Sequence, residues 1–305
     1  MHDHERKKPM ALVKKQFSKA AAAPAPATKM LVSLPTELSV PPPSMLDYTW
    51  MIYGAKKIGK TSLVSHFPGA LFLSTEPGVK GQRVYSIACP TWQHFQQAVD
   101  LAVADKSGRY KTYVVDTIDI AYEHAWNYIC KKKMISHPRD ENDFGATFKE
   151  IRVLFRDACL KLIHSGKGVV FISHDTEKEM ENAEGETYNR TQPTAPKQAL
   201  EEIEAVVDVI GHYHYRKQAR FLSIQGNESL VAGNRLEERF VRAGGKVCVA
   251  EDRVREVPLG SSSAEAFVNL EKAFNNQQVV VDPTITAKPA GTTGTPPVVA
   301  RKLTK

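Results

Sequence analysis

Between about residues 46 and 260, short runs of β-branched and aromatic residues alternate with stretches whose apolar positions recur every three or four residues. That alternation is the pattern of a mostly parallel sheet flanked by helices, because a strand that returns in parallel needs a crossover long enough to hold a helix. It predicts strands over Thr49–Tyr53, Leu71–Ser74, Tyr113–Asp116, Val169–Ser173, Val207–Tyr213 and Phe221–Gln225. A helix is expected to open at Thr91, with Trp92, Phe95, Val99, Ala102 and Val103 at helical spacing. Further helices are expected over Ile118–Lys132, Gly145–His164 and Pro196–Ala205. Only a few polar residues (Arg216–Ala219) join the last two strands, so these are expected to pair as an antiparallel hairpin at the sheet edge.

At both ends the pattern lapses. Residues 1–44 run through a charged start, an Ala/Pro stretch at Ala21–Ala27 and three prolines at Pro41–Pro43. Such composition buries too little apolar surface to offset the entropy of ordering. A flexible arm is expected over 1–44, one α/β domain over 45–281, and a disordered basic tail over 282–305 ending in Arg301, Lys302 and Lys305.

The net charge of +7 invites a nucleic-acid reading until its distribution is examined. Residues 1–29 hold seven bases against two acids and residues 283–305 four against none, which leaves thirty bases and thirty-two acids between them. A uniformly basic DNA-binding domain is thereby disfavoured, while a local basic groove is not. No apolar run approaches the roughly 20 residues of a membrane span, and the first residues lack a secretory apolar stretch, so a soluble cytoplasmic protein is expected. The four cysteines, Cys89, Cys130, Cys159 and Cys248, form no CxxC pair and suggest neither a zinc site nor a disulfide framework.

One segment carries specific chemistry. Tyr53–Ser62, YGAKKIGKTS, fits GxxxxGK[ST] with Gly54, Gly59, Lys60 and Thr61, after an expected strand and before an expected helix. In such a loop, spanning Gly54, Ala55, Lys56, Lys57, Ile58, Gly59, Lys60, Thr61 and Ser62, glycines let backbone N–H groups approach phosphates closely. Lys60 would reach the β- and γ-phosphates of ATP, and the Thr61 hydroxyl would ligate Mg2+. A carboxylate ending a neighbouring buried strand is also needed for the metal, and Asp116 in TYVVDTID supplies it.

A water-activating Glu directly after that Asp is replaced here by Thr117, so the base must come from elsewhere. Glu76, in ALFLSTEPG, ends the strand after the loop at the edge where open α/β sheets hold ligands. Asp119 is the weaker alternative. His174, at the end of GVVFISHD, is either a sensor of the γ-phosphate or a residue that merely caps its strand.

The succession of these motifs resembles the RecA-like ATPase core, and in particular the phage proteins of the RecA-like AAA type that include single-strand DNA annealing recombinases. The resemblance covers roughly residues 46 to 260. It implies a base at Glu76, the magnesium Asp at Asp116 and a polar sensor at His174, where the bacterial recombinase has a different residue. It also implies two mobile loops facing DNA, falling on Lys131–Thr147 and Thr176–Pro196. Glu177, Glu179, Glu181, Glu184 and Glu186 crowd the second of these and argue against tight DNA contact by that loop alone. Gly226–Arg235 looks like a late motif of the phage group, without a chemical role. By the same resemblance a homo-oligomer is expected, with Arg216, Lys217 or Arg220 as the cation lent to a neighbour's site, and a single-strand binding protein as a further partner.

Three functions compete: a Mg-dependent ATPase acting on single-stranded DNA in recombination, annealing or replication; a nucleotide-switched interaction protein; and a P-loop small-molecule kinase. The kinase needs an Arg-rich lid, and the long polar loop here is acidic.

Overall fold

The computed structural model describes residues 34–246 and 249–281. The tail expected over 282–305, most of the arm and Cys248 lie outside the described residues. The chain divides into a unit ending at Pro41 and one starting at Pro42; in the first, the described residues 34–41 are exposed and carry no helix or strand.

The second unit is built on one mixed sheet. In chain order its strands are β1 (Thr49–Gly54), β2 (Ala70–Ser74), β3 (Tyr85–Ala88), β4 (Thr112–Asp116), β5 (Gly168–Glu181), β6 (Thr187–Pro193), β7 (Val209–Arg216), β8 (Ala219–Ser223), β9 (Gly233–Asn234) and β10 (Glu256–Gly260). Across the sheet the order is β10-β8-β7-β1-β5-β4-β2-β3. From β7 to β3 every pairing is parallel, and β8 and β10 add antiparallel strands at one side. The α/β class is therefore as expected, with one correction: the β7–β8 hairpin forms but is not the edge, because β10 pairs outside it. Pro258 within β10 removes a ladder donor, which suits an outermost strand and disguises it in the sequence.

The central strands β1, β2 and β4 are buried along their whole length. Both faces are covered, so they read as continuous apolar runs. On one face, Met51, Leu73, Val115 and Phe171 pack against α2 (Trp92–Ala104), α3 (Ile118–Lys133), α4 (Ala146–Ile163) and α5 (Lys197–Glu204). On the other, Trp50, Ile52, Phe72 and Ile172 pack against α1 (Lys60–Val64) and α6 (Ser263–Phe274). The two sets alternate along each strand, as a period of two requires. Ser262 caps α6 by accepting from the Glu265 amide at 3.1 Å.

Because β5 lies between β1 and β4, the loop after β1 and the carboxylate ending β4 reach the same end of the sheet from either side of β5. This connectivity gathers the site. The segment Thr176–Pro196, expected as a mobile loop, is instead largely a β-ribbon: β5 runs on beyond the sheet and β6 folds back on it from Thr187 to Pro193.

Candidate active site

At the C-terminal end of the parallel strands an open cleft of about 1040 Å³ is lined by Lys56–Ser62, Glu76–Gly78, Gln82, Asp116, Asp119, His174, Thr194 and part of α3. It brings Lys60, Thr61, Asp116, Glu76 and His174 together. Ala55, Lys56 and Lys57 form the exposed crest of the loop, while Ile58, Gly59, Thr61 and Ser62 are half-buried.

The two glycines serve different ends. Gly59 has φ +102°, a region a side chain resists, and begins α1 there. Gly54 has an ordinary backbone, but a Cβ on it would lie 2.2 Å from the carbonyl oxygen of Tyr213. Its smallness thus serves the approach of β7 to β1 rather than the approach of a phosphate. Helix α1 is only five residues long and ends at Val64.

Lys60 is 5% exposed, and its Nζ donates to the carbonyls of Gly54 at 2.7 Å and Ala55 at 2.9 Å while meeting His174 Nδ1 at 3.2 Å. The loop therefore wraps around its own lysine. Burial draws the Lys60 ammonium below its usual range, opposed by the nearby carboxylates of Asp175, Asp116, Asp119 and Glu76.

The hydroxyl of Thr61 donates to Asp116 Oδ2 at 2.9 Å, so the two expected metal ligands touch. Asp116 is 5% exposed. Burial raises its carboxyl above the usual range, opposed by the Thr61 hydrogen bond. A buried carboxylate beside a hydroxyl, close to the exposed amides of the glycine-rich loop, is a donor set suited to Mg2+, which takes few protein oxygens.

Glu76 and His174 also meet: His174 Nε2 lies 3.5 Å from Glu76 Oε1. The same oxygen accepts from the Thr117 hydroxyl at 2.8 Å. Asp119, the alternative base, is held otherwise: Oδ1 accepts from Ser173 at 3.2 Å and from Thr194, while Oδ2 is buried with no hydrogen-bond partner among the described residues.

Several neighbours escape the motif. Gln82 donates to Ser62 Oγ at 3.0 Å and accepts from Ser65 at 3.4 Å, tying the turn after Glu76 to α1. Asp175 joins His212 at 3.4 Å, whose ring stacks on that of His214. Burial lowers the His212 imidazole, opposed by its hydrogen bond to Asp175. A single His or Gln in a sequence announces none of this; the alternation His212, His214, Arg216 along one strand was the available signal.

The ribbon sorts its charges. Its register sets Lys178 opposite Arg190 and Met180 opposite Tyr188, whereas Glu177, Glu179 and Glu181 face Thr191, Asn189 and Thr187. Directly opposite residues share a face, so the cations and Tyr188 lie on one side and these three glutamates on the other. In the α3–α4 connection, Lys132 pairs with Glu150, and Lys133 with Glu150 and Asp143. Two of the three consecutive lysines Lys131–Lys133 are thereby neutralised. Of the cations considered for a neighbour's site, Arg216 is held by Glu256 and Arg220 lies over the Tyr215 ring, while Lys217 stands exposed in the turn. Gly226–Arg235 holds the base of the ribbon, through Val231 N donating to the Thr191 carbonyl at 3.0 Å.

A family model described as an AAA domain matches residues 46–236, well over half of the chain, and the protein belongs to that family. Among curated proteins, the SPbeta prophage-derived uncharacterized protein YorG of Bacillus subtilis (strain 168) is 28% identical over 130 residues, 41% of this chain and 40% of that protein. The chain thus matches well under half the length of that relative. A crystal structure of the RadB recombinase aligns at a TM-score of 0.37 and 12% identity, covering 61% of this chain and 84% of that one.

Proposed function

We propose that this AAA-type protein is a magnesium-dependent ATPase whose turnover is coupled to single-stranded DNA. The observation that carries the reading is the convergence of Lys60, the Thr61–Asp116 pair and Glu76 on one cleft.

In this reading the loop amides from Ala55 to Ser62 hold the phosphates and Lys60 donates to the terminal ones, its ammonium already aimed by two carbonyls. Thr61 and Asp116 would hold Mg2+, which would supply charge neutralisation for the phosphates. Glu76 orients and deprotonates the attacking water, and His174, between Glu76 and Lys60, reports on the γ-phosphate.

The coupling to DNA is supported by the ribbon, which grows directly from His174 and sets cations beside an aromatic ring on one face. Stacking on an aromatic with nearby cations holds single strands without reading sequence. The acidity that argues against this segment in the sequence falls largely on the opposite face. The resemblance to phage recombination proteins and the prophage origin in the relative's name favour recombination, annealing or replication, in the host cytoplasm if the chain is phage-encoded. A homo-oligomer fits the same reading, with Lys217 the least committed cation of the hairpin, and a single-strand binding protein is the further partner.

The test is phosphate release from MgATP with and without single-stranded DNA. Stimulation supports the proposal. Slow unstimulated turnover would favour the nucleotide-switched interaction protein, and transfer to a metabolite the small-molecule kinase.

A further inference from the structure

Thr117 occupies the N-cap position of α3, where a threonine ordinarily turns its side-chain oxygen to a backbone amide of the first turn. Here its side chain caps nothing. The hydroxyl donates instead to Glu76 Oε1, two residues beyond the end of β2, at 2.8 Å. A group that gives up a cap has another use for its hydrogen bond.

The surrounding backbone is arranged to make that bond reproducible. Thr117 N donates to Thr75 Oγ1 at 2.8 Å and Thr75 Oγ1 returns a bond to the Thr117 carbonyl at 2.9 Å. The Thr75 and Glu76 amides both donate to the Asp116 carbonyl, at 2.9 and 3.4 Å. The ends of β2 and β4 are thus laced residue to residue just where one contributes Glu76 and the other Asp116. Thr117 is 1% exposed, so water does not compete for its hydroxyl. Glu76 itself is a third exposed, and beside the Thr117 bond its Oε1 has only the longer 3.5 Å approach of His174 Nε2 among the described residues.

We propose that Thr117 is a positioning residue that commits one carboxylate oxygen of Glu76, so that the other is presented in a single orientation to the attacking water. The inference rests on Glu76 being the base. Thr117 stands where other P-loop ATPases carry the acid itself; here that position steers a base lent by the neighbouring strand.

The experiment measures steady-state kcat and KM for MgATP in the full chain and in Thr117→Val, Thr117→Ser, Glu76→Gln and Thr117→Val/Glu76→Gln. Valine keeps the shape and removes the donor. Thr117→Val is expected to lower kcat by about 10- to 100-fold, the scale set by small misplacements of catalytic groups, with KM changed less than about twofold. Thr117→Ser, which keeps the hydroxyl, recovers most of the rate. In the Glu76→Gln background the valine adds less than about a further twofold, because both changes act on one group. If Thr117→Val fails to fold, Thr117→Ala is read in the same way.

Wild-type turnover in Glu76→Gln would sink the assignment of the base itself. A slow Glu76→Gln with an unimpaired Thr117→Val would overturn the positioning role alone. Multiplicative losses in the double variant would overturn it too, by showing that Thr117 acts on something other than Glu76.

Discussion

Replacing Lys60 by alanine removes the group on which the phosphate assignment turns, and the size of the effect can be worked from its surroundings. The ammonium is 5% exposed and already bonded to two loop carbonyls, so its desolvation is complete before any ligand arrives. A phosphate that takes the third N–H, which meets His174 Nδ1 at 3.2 Å in the unliganded chain, gains a charge-assisted bond worth about 1.5–3 kcal/mol, a factor of about 10 to 150 in Kd. The assay is thermal unfolding with and without MgATP. A ligand present at about 100 times its Kd stabilises a folded protein by about 2.7 kcal/mol, and in a domain of this size each kcal/mol moves Tm by roughly 2–4 °C. Wild type should therefore shift upward by about 5–10 °C. With Kd raised about 100-fold, the same ligand concentration contributes only about 0.4 kcal/mol, a shift of about 1–2 °C. Each variant is compared with its own unliganded form, since losing Lys60 also leaves the carboxylates around it without their cation. An undiminished shift in Lys60→Ala would refute the reasoning.

Three other outcomes are expected. Asp116 has a carboxyl raised by burial, so it contributes stability below the usual carboxylate range that is lost as pH rises through its folded value; Asp116→Asn should raise the Tm of the unliganded chain at pH 7, with the gain fading in acid, and a lower Tm at pH 7 would contradict this. Gly54→Ala forces a Cβ against the Tyr213 carbonyl between two paired strands, where no rotamer relieves it; denaturant titration should show a loss of about 1–3 kcal/mol, and unchanged stability would count against the close approach. Lys178→Ala should reduce the slope of log K against log salt for single-stranded DNA by about 0.7, the share of one phosphate contact, and an unaltered slope would remove this residue from the DNA face.

The strands and the glycine-rich loop were legible because both are written in consecutive residues. Continuous apolar runs mark strands buried on two faces, and GxxxxGK[ST] compresses a three-dimensional site into eight residues. What escaped was either exposed or non-local. Strand β3 is exposed at three of its four residues, so it lacks the alternation that marks a strand. The α6 cap was written as Ser262 and Glu265, three residues apart, but stood beyond the motifs. The resemblance implies a loop where the ribbon stands, and the charged residues there show no apolar alternation to suggest strands; only pairing reveals that alternate positions separate cations from glutamates. The contact of Thr117 with Glu76 spans 41 residues, and in the sequence Thr117 registers only as a missing acid.

The central claim is that main-chain amides between Ala55 and Ser62 grip a triphosphate. Amide hydrogen exchange in the presence of Mg2+ and a non-hydrolysable ATP analogue tests it most directly. The account predicts slowed exchange concentrated on residues 55–62, lost in Lys60→Ala. Protection confined to another part of the chain, or none at saturating analogue, would contradict it.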